Sequence, residues 1–113
     1  MGGIVLGVVV SRRRNQVSHD QCIQRLAKKL SLEGWAIEAH VKGWPKPPYI
    51  NEYIPDIRAR KNNSTLIIEV ETDDILYLDV SQHRAFQRHA DENHGAKFLL
   101  YFAGDDGTCR LIN

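Results

Sequence analysis

The sequence predicts a single α/β domain with a mixed central sheet flanked by helices. Three observations point there. The chain has 113 residues, the length of one domain, and a domain of this size buries roughly 65% of its unfolded surface, enough for one core without staples. Its hydrophobic fraction of 42% and charged fraction of 26% are those of ordinary globular proteins, which excludes disordered and fibrous classes. The apolar pattern alternates between periods of 3.6 and 2, in the order helix, three strands, helix, strand.

The elements follow in chain order. Ile4 to Val10 is an apolar, β-branched run. It falls short of the ~20 residues that span a bilayer, and its arginines follow it rather than precede it, unlike a signal peptide. Residues 1–16 are therefore expected to be an N-terminal strand or arm, contacting a sheet edge or a second copy. Residues 17–113 are expected to form the domain. Val17 to Leu32 reads as an amphipathic helix, with Ser18 and Gln21 as a capping box and Gly34 as the stop. Trp35 to Val41 reads as a strand. Gly43 to Pro48 is an extended loop, because proline lacks a donor and restricts its predecessor. Tyr53 to Arg60 and Ser64 to Thr72 form a hairpin through Lys61-Asn62-Asn63. Thr72 to Leu78 carries no clear period. Val80 to Asn93 is a second helix capped by Ser81 or Asp79. Lys97 to Phe102 is the apolar run of a strand covered on both faces, and Cys109 to Ile112 is a short edge strand.

The net charge of +1 is neither that of a strongly basic nucleic-acid binder nor that of an acidic tail. Locally, Arg12-Arg13-Arg14 is basic and Glu69 to Asp79 is acidic. Cys22 and Cys109 have no CxxC partner and no histidine spacing suited to zinc. They read as thiols in a reducing, cytoplasmic setting, although a disulfide between them stays open. His83, His89 and His94 form no zinc set and are expected at the surface.

The informative stretch is Pro55-Asp56, a hairpin, then Ile67-Ile68-Glu69-Val70-Glu71. Side chains alternate along a strand, so Glu69 and Glu71 share a face, roughly 7 Å apart. Ile68 and Val70 point into the core, and the hairpin sets Asp56 beside Glu69. Such carboxylates repel one another unless a cation sits between them, and oxygen ligands of this kind suit magnesium or manganese. Spacing alone is also compatible with a solvent-facing strand.

Pro55-Asp56 followed by Glu69-Val70-Glu71, within this order of elements, resembles the PD-(D/E)XK phosphodiesterase superfamily, which includes restriction enzymes and Holliday-junction resolvases. The resemblance runs from about Val17 to Phe102 and implies a restriction-endonuclease-like αβββαβ core. It implies catalytic roles for Asp56, Glu69 and Glu71, with Mg2+ or Mn2+ held by Asp56, Glu69 and the backbone carbonyl of Val70. Glu71 stands where the family usually has lysine, which leaves open the group that activates water; Lys42, Arg58 and Arg84 are candidates. Asp20, Gln82 and Arg84 are possible supporting residues, with His19 beside Asp20.

The function implied is metal-dependent endonucleolytic hydrolysis of a DNA or RNA phosphodiester, with DNA favoured, no membrane partner, and a homodimer needed to cut both strands of a duplex. Arg12, Arg13, Arg14, Lys42 and Trp44 are candidate nucleic-acid contacts; the loop from Trp44 to Tyr49 is equally compatible with simple packing or a dimer contact. The alternative is a non-catalytic module of the same fold that binds nucleic acid or a protein, and Glu71 and the near-zero net charge favour it.

Overall fold

In a computed structural model that describes residues 2–72 and 79–113, with side chains from residue 15 onward, two helices pack on a five-stranded sheet. Helix α1 spans Gly2–Leu32, β1 Ala36–Ala39, β2 Ile57–Lys61, β3 Ser64–Glu71, α2 Val80–Glu92, β4 Ala96–Ala103 and β5 Cys109–Leu111. The α/β class and the expected order of elements are observed. Residues 73–78, within the stretch that carries no clear period, lie outside the described residues.

The strands lie in the order β1-β2-β3-β4-β5. β1, β2 and β3 form an antiparallel meander. β4 then pairs with β3 in parallel, and β5 returns antiparallel to β4. Two adjacent parallel strands need a crossover, and α2 supplies the helix in it. Cys22, Ile23, Leu26 and Ala27 of α1 pack with Ala39, Ile57, Ala59, Ile68, Val70 and Ala103. Phe86 and Ala90 of α2 pack with Ile50, Ile67 and Phe98. Neighbouring residues Ile67 and Ile68 thus serve opposite helices, which is why β3 needs an apolar residue at both.

α1 ends where glycine was expected to stop it. Gly34 takes φ +96°, its N–H donates to Ser31 O at 3.1 Å, and the N–H of Trp35 donates to Leu30 O at 3.0 Å. That pair of bonds is the Schellman arrangement. Gly95, with φ +83°, is more tightly constrained, because a Cβ there would sit 2.2 Å from the backbone oxygen of Asn63 at the hairpin turn. Gly95→Ala combines a left-handed backbone with a collision against main chain. It is expected to destabilise by about 2 kcal/mol or more, read as a lowered midpoint in denaturant unfolding.

Three expectations are corrected. Ile4 to Val10 lies in the helical backbone of α1 and is not a strand. The chain from Gly2 to Leu32 contains no proline, and extending an existing helix by one residue costs β-branched side chains only a few tenths of a kcal/mol. Ser18 is consequently inside the helix rather than its cap. Cys22 and Cys109 are not free thiols but a disulfide, with Cα atoms 5.4 Å apart at a sequence separation of 87. The pairing arises because α1 packs across β1 to β4, which carries Cys22 to the start of β5, and it weighs against a reducing compartment. No helix among the described residues is long and apolar enough to cross a membrane.

Candidate metal centre

The candidate site forms where β2 begins and β3 ends. Asp56 immediately precedes β2, and the register Ile57↔Ile68 puts it opposite Glu69. The hairpin closes this approach with two reciprocal bonds: Asp56 N–H donates to Glu69 Oε1 at 2.8 Å, and Val70 N–H donates to Asp56 Oδ2 at 2.8 Å. Glu71 follows two residues on, so it shares the face of Glu69. That face looks toward α2, whose first turn supplies Gln82 Nε2 to Glu69 Oε2 at 2.9 Å and His83 Nε2 to Glu71 Oε1 at 2.9 Å. From the other side, α1 brings His19 Nε2 to 3.4 Å from Asp56 Oδ2, while its Nδ1 meets Asp20 Oδ1 at 3.0 Å.

Burial gives this cluster its chemistry. Asp56 is 8% exposed, Glu69 3% and Glu71 1%. Among the described residues no lysine or arginine forms an ion pair with any of them. Carboxylates removed from water and crowded together hold their protons. Burial, then the Asp56 carboxylate, drives Glu69 well above the carboxylate range. Burial, then the Asp79 carboxylate, pushes Glu71 up to about 9. Burial opposes the charged form of His19, but the carboxylates of Asp56 and Asp20 outweigh it and lift the imidazole to about 9. Burial lowers His83, against the pull of Asp79, which leaves a neutral imidazole of the kind that binds metals. Glu71 Oε2 is buried with no N–H or hydroxyl donor among the described residues; the Asp79 carboxylate is its partner when Glu71 is protonated.

The donor chemistry fits a divalent cation. Asp56 and Glu69 offer hard oxygens, and the Val70 N–H points to the β2 side of β3, the side to which the carbonyl of the same strand residue also turns. Glu71, Asp79 and His83 offer a second set, with ligand atoms all within 4.8 Å of one another.

The expected residues divide sharply. Asp56, Glu69 and Glu71 come together, and Gln82 joins them. Asp20 holds His19, together with Gln16 at 2.9 Å, and its link to the site runs through that imidazole. Arg84 is exposed on α2 with no ion pair among the described residues. Arg58 is committed to Glu38 through its Nε at 2.6 Å. Lys42 is exposed, and its carbonyl accepts from Gln24 Nε2 at 2.8 Å. Trp44 is half-buried, packs against the α1-side core and donates its indole N–H to Gln24 Oε1 at 2.9 Å, so it is a packed loop residue rather than a free stacking platform. Arg12, Arg13 and Arg14 lie in the backbone of α1, and their side chains are outside the described set.

Two participants were missed. His83 was expected at the surface and is instead bonded to Glu71. Asp79 was read only as a helix cap; it occupies that position without a side-chain cap bond, leaving its carboxylate beside Glu71. Their spacing was the available signal, since residues four apart share one helix face, and Gln82 lies between them on the same turn. No protein-family model, curated protein or solved structure matches the chain.

Proposed function

We propose that this chain is a divalent-metal-dependent phosphodiesterase of the restriction-endonuclease-like class, cutting a nucleic-acid backbone, DNA in the first instance. One observation carries the reading: Asp56, Glu69 and Glu71 converge in a buried cluster with no lysine or arginine to balance them among the described residues. Buried carboxyls whose one cationic partner among the described residues is the His19 imidazole are costly to ionise, and such a cluster suits the arrival of a divalent cation. The α-β-β-β-α-β order, with the site at the open end of the β2–β3 hairpin, supports the same assignment.

In this reading Asp56, Glu69 and the Val70 carbonyl hold Mg2+ or Mn2+. The bound ion would acidify a water and neutralise charge on the scissile phosphate. Gln82 fixes the Glu69 carboxylate by its 2.9 Å bond. His19, cationic and held by Asp20, stands beside Asp56 as the charged group on the α1 side. A homodimer is the natural assembly for cleaving both strands, since one chain of 113 residues cannot surround a duplex.

The competing reading is a module of this fold that binds without cutting. It draws support from Glu71 in the usual lysine position and from an unremarkable net charge. One pair of assays separates the two: Mg2+ and Mn2+ titration by calorimetry, and cleavage of plasmid and single-stranded DNA, on wild type and Asp56→Ala. The expected result is metal-dependent cleavage by the wild type and a loss of about a thousandfold in the variant, equivalent to about 4 kcal/mol of charge stabilisation. Metal binding without cleavage favours the binding module. No metal binding at millimolar concentration, with DNA present, ends the phosphodiesterase reading.

A further inference from the structure

We infer that Glu71, Asp79 and His83 form a separate binding site for a first-row transition-metal dication of the zinc or cobalt kind, rather than for magnesium. The inference rests on the geometry of these three residues and stands whether or not the chain cleaves nucleic acid.

The first argument is placement. Asp79 and His83 lie one helical turn apart on α2, with the N–H of His83 donating to Asp79 O at 2.9 Å, so both side chains leave the same face of a rigid turn. Glu71 meets them from the end of β3, where the sheet holds it in register with Phe102. The ligand atoms lie within 4.8 Å of one another. Small side-chain rotations close that spread onto an ion with bonds of about 2.1 Å.

The second argument is independent of the clustering. Glu71 is 1% exposed, its Oε1 is bonded to His83, and its Oε2 is buried with no N–H or hydroxyl donor among the described residues, so that a proton shared with the Asp79 carboxylate is what satisfies it without metal. Two carboxyls held together by a shared proton can release it to a dication that takes both oxygens. An ion bound by Asp79 and His83 takes the place of that proton.

The third argument selects the metal. Magnesium takes oxygen ligands and keeps several waters, whereas imidazole suits zinc, copper, nickel and iron, and cobalt stands beside them in the same affinity series. One imidazole with two carboxylates is a transition-metal set with room for water. The position of Asp56 and Glu69, composed of oxygen donors alone, lacks that preference.

The test uses the full chain, stripped with a chelator, titrated with Zn2+, Co2+, Mn2+ and Mg2+ by calorimetry, with Co2+ binding also followed by its visible absorption. Wild type is compared with His83→Ala, His83→Gln and Asp56→Asn, and each fold is checked by circular dichroism. The glutamine variant keeps a donor to Glu71, so it remains informative if the alanine variant misfolds. The wild type is expected to bind Zn2+ and Co2+ more tightly than Mg2+. Both His83 variants are expected to lose at least about 100-fold in Co2+ affinity, the upper end of what loss of a mere outer partner costs, and to change the cobalt spectrum. Asp56→Asn should remove any cleavage yet leave that spectrum in place, which separates this site from the proposed phosphodiesterase centre. The inference is overturned by no Zn2+ or Co2+ binding at millimolar concentration, by Mg2+ binding equally tightly, by folded His83 variants that bind like wild type, or by Asp56→Asn weakening Co2+ as much as they do.

Discussion

Replacing Cys22 and Cys109 together by alanine is expected to lower stability by about 2–5 kcal/mol, the cost typical of losing a native disulfide from a small domain. The bridge closes a segment with a sequence separation of 87, for which loop-closure entropy alone gives about 4.5 kcal/mol. In a domain of this size that corresponds to a melting temperature lower by roughly 10–20 °C. Alanine is the right replacement because Cys22 is buried against Ile23, Leu26 and the sheet, where a serine hydroxyl would add a desolvation cost of its own. Thermal unfolding of the wild type with and without reductant provides the companion measurement, and the reduced wild type should resemble the variant. A change below about 0.5 kcal/mol in both would mean that the bridge does not form in solution.

The second large effect concerns charge at the site. In the metal-free protein Glu71 titrates near 9 rather than near 4.5, Glu69 is raised in the same sense, and His19 is raised to about 9. In each case the folded chain holds a proton that the unfolded chain has released, so stability is greatest below the unfolded pKa values. It declines as pH rises toward 9, by at most about 1.4 kcal/mol per pH unit for each held proton. The groups facing this centre are His19 and Asp20 from α1, Asp56 before β2, Glu69 and Glu71 on β3, and Asp79 and His83 at the start of α2. Glu71→Gln removes one member while keeping an amide that hydrogen-bonds His83. At pH 9 without metal the variant is expected to be more stable than wild type by about 1–3 kcal/mol. It should also be unable to bind metal through Glu71, so that the same carboxylate is a burden to the fold and a requirement of the site. Urea unfolding from pH 5 to 9 tests this, and a flat wild-type profile would count against it.

The sheet was legible where residues repeat with a strict period. Ile67-Ile68-Glu69-Val70-Glu71 announces a strand whose Ile68 and Val70 face the core, and they do; Ile67 on the carboxylate face is also core, packed under α2. The convergence of Asp56 with Glu69 followed from the hairpin. What the sequence withheld was long-range. Whether Cys22 meets Cys109 depends on how α1 lies across the sheet, and no local pattern encodes that. Ser18 offered a helix start that the chain did not use, because a cap signal acts only where the preceding residues leave the helix. His83 was hidden for a different reason: a histidine in the first turn of a polar helix looks solvated until the end of β3 is known to face it.

The disulfide also determines how the molecule would bear tension. Between Cys22 and Cys109 the chain passes through β1 to β4 and through α2. If the two ends are pulled apart, force entering through α1 crosses the sulfur–sulfur bond directly and leaves at β5. The meander, the crossover helix and the carboxylates between them lie on a slack branch in parallel with that short path. The domain can therefore be stretched from its termini only by unravelling α1 and the last few residues. Asp56, Glu69, Glu71, Asp79 and His83 stay unloaded for as long as the bridge is intact.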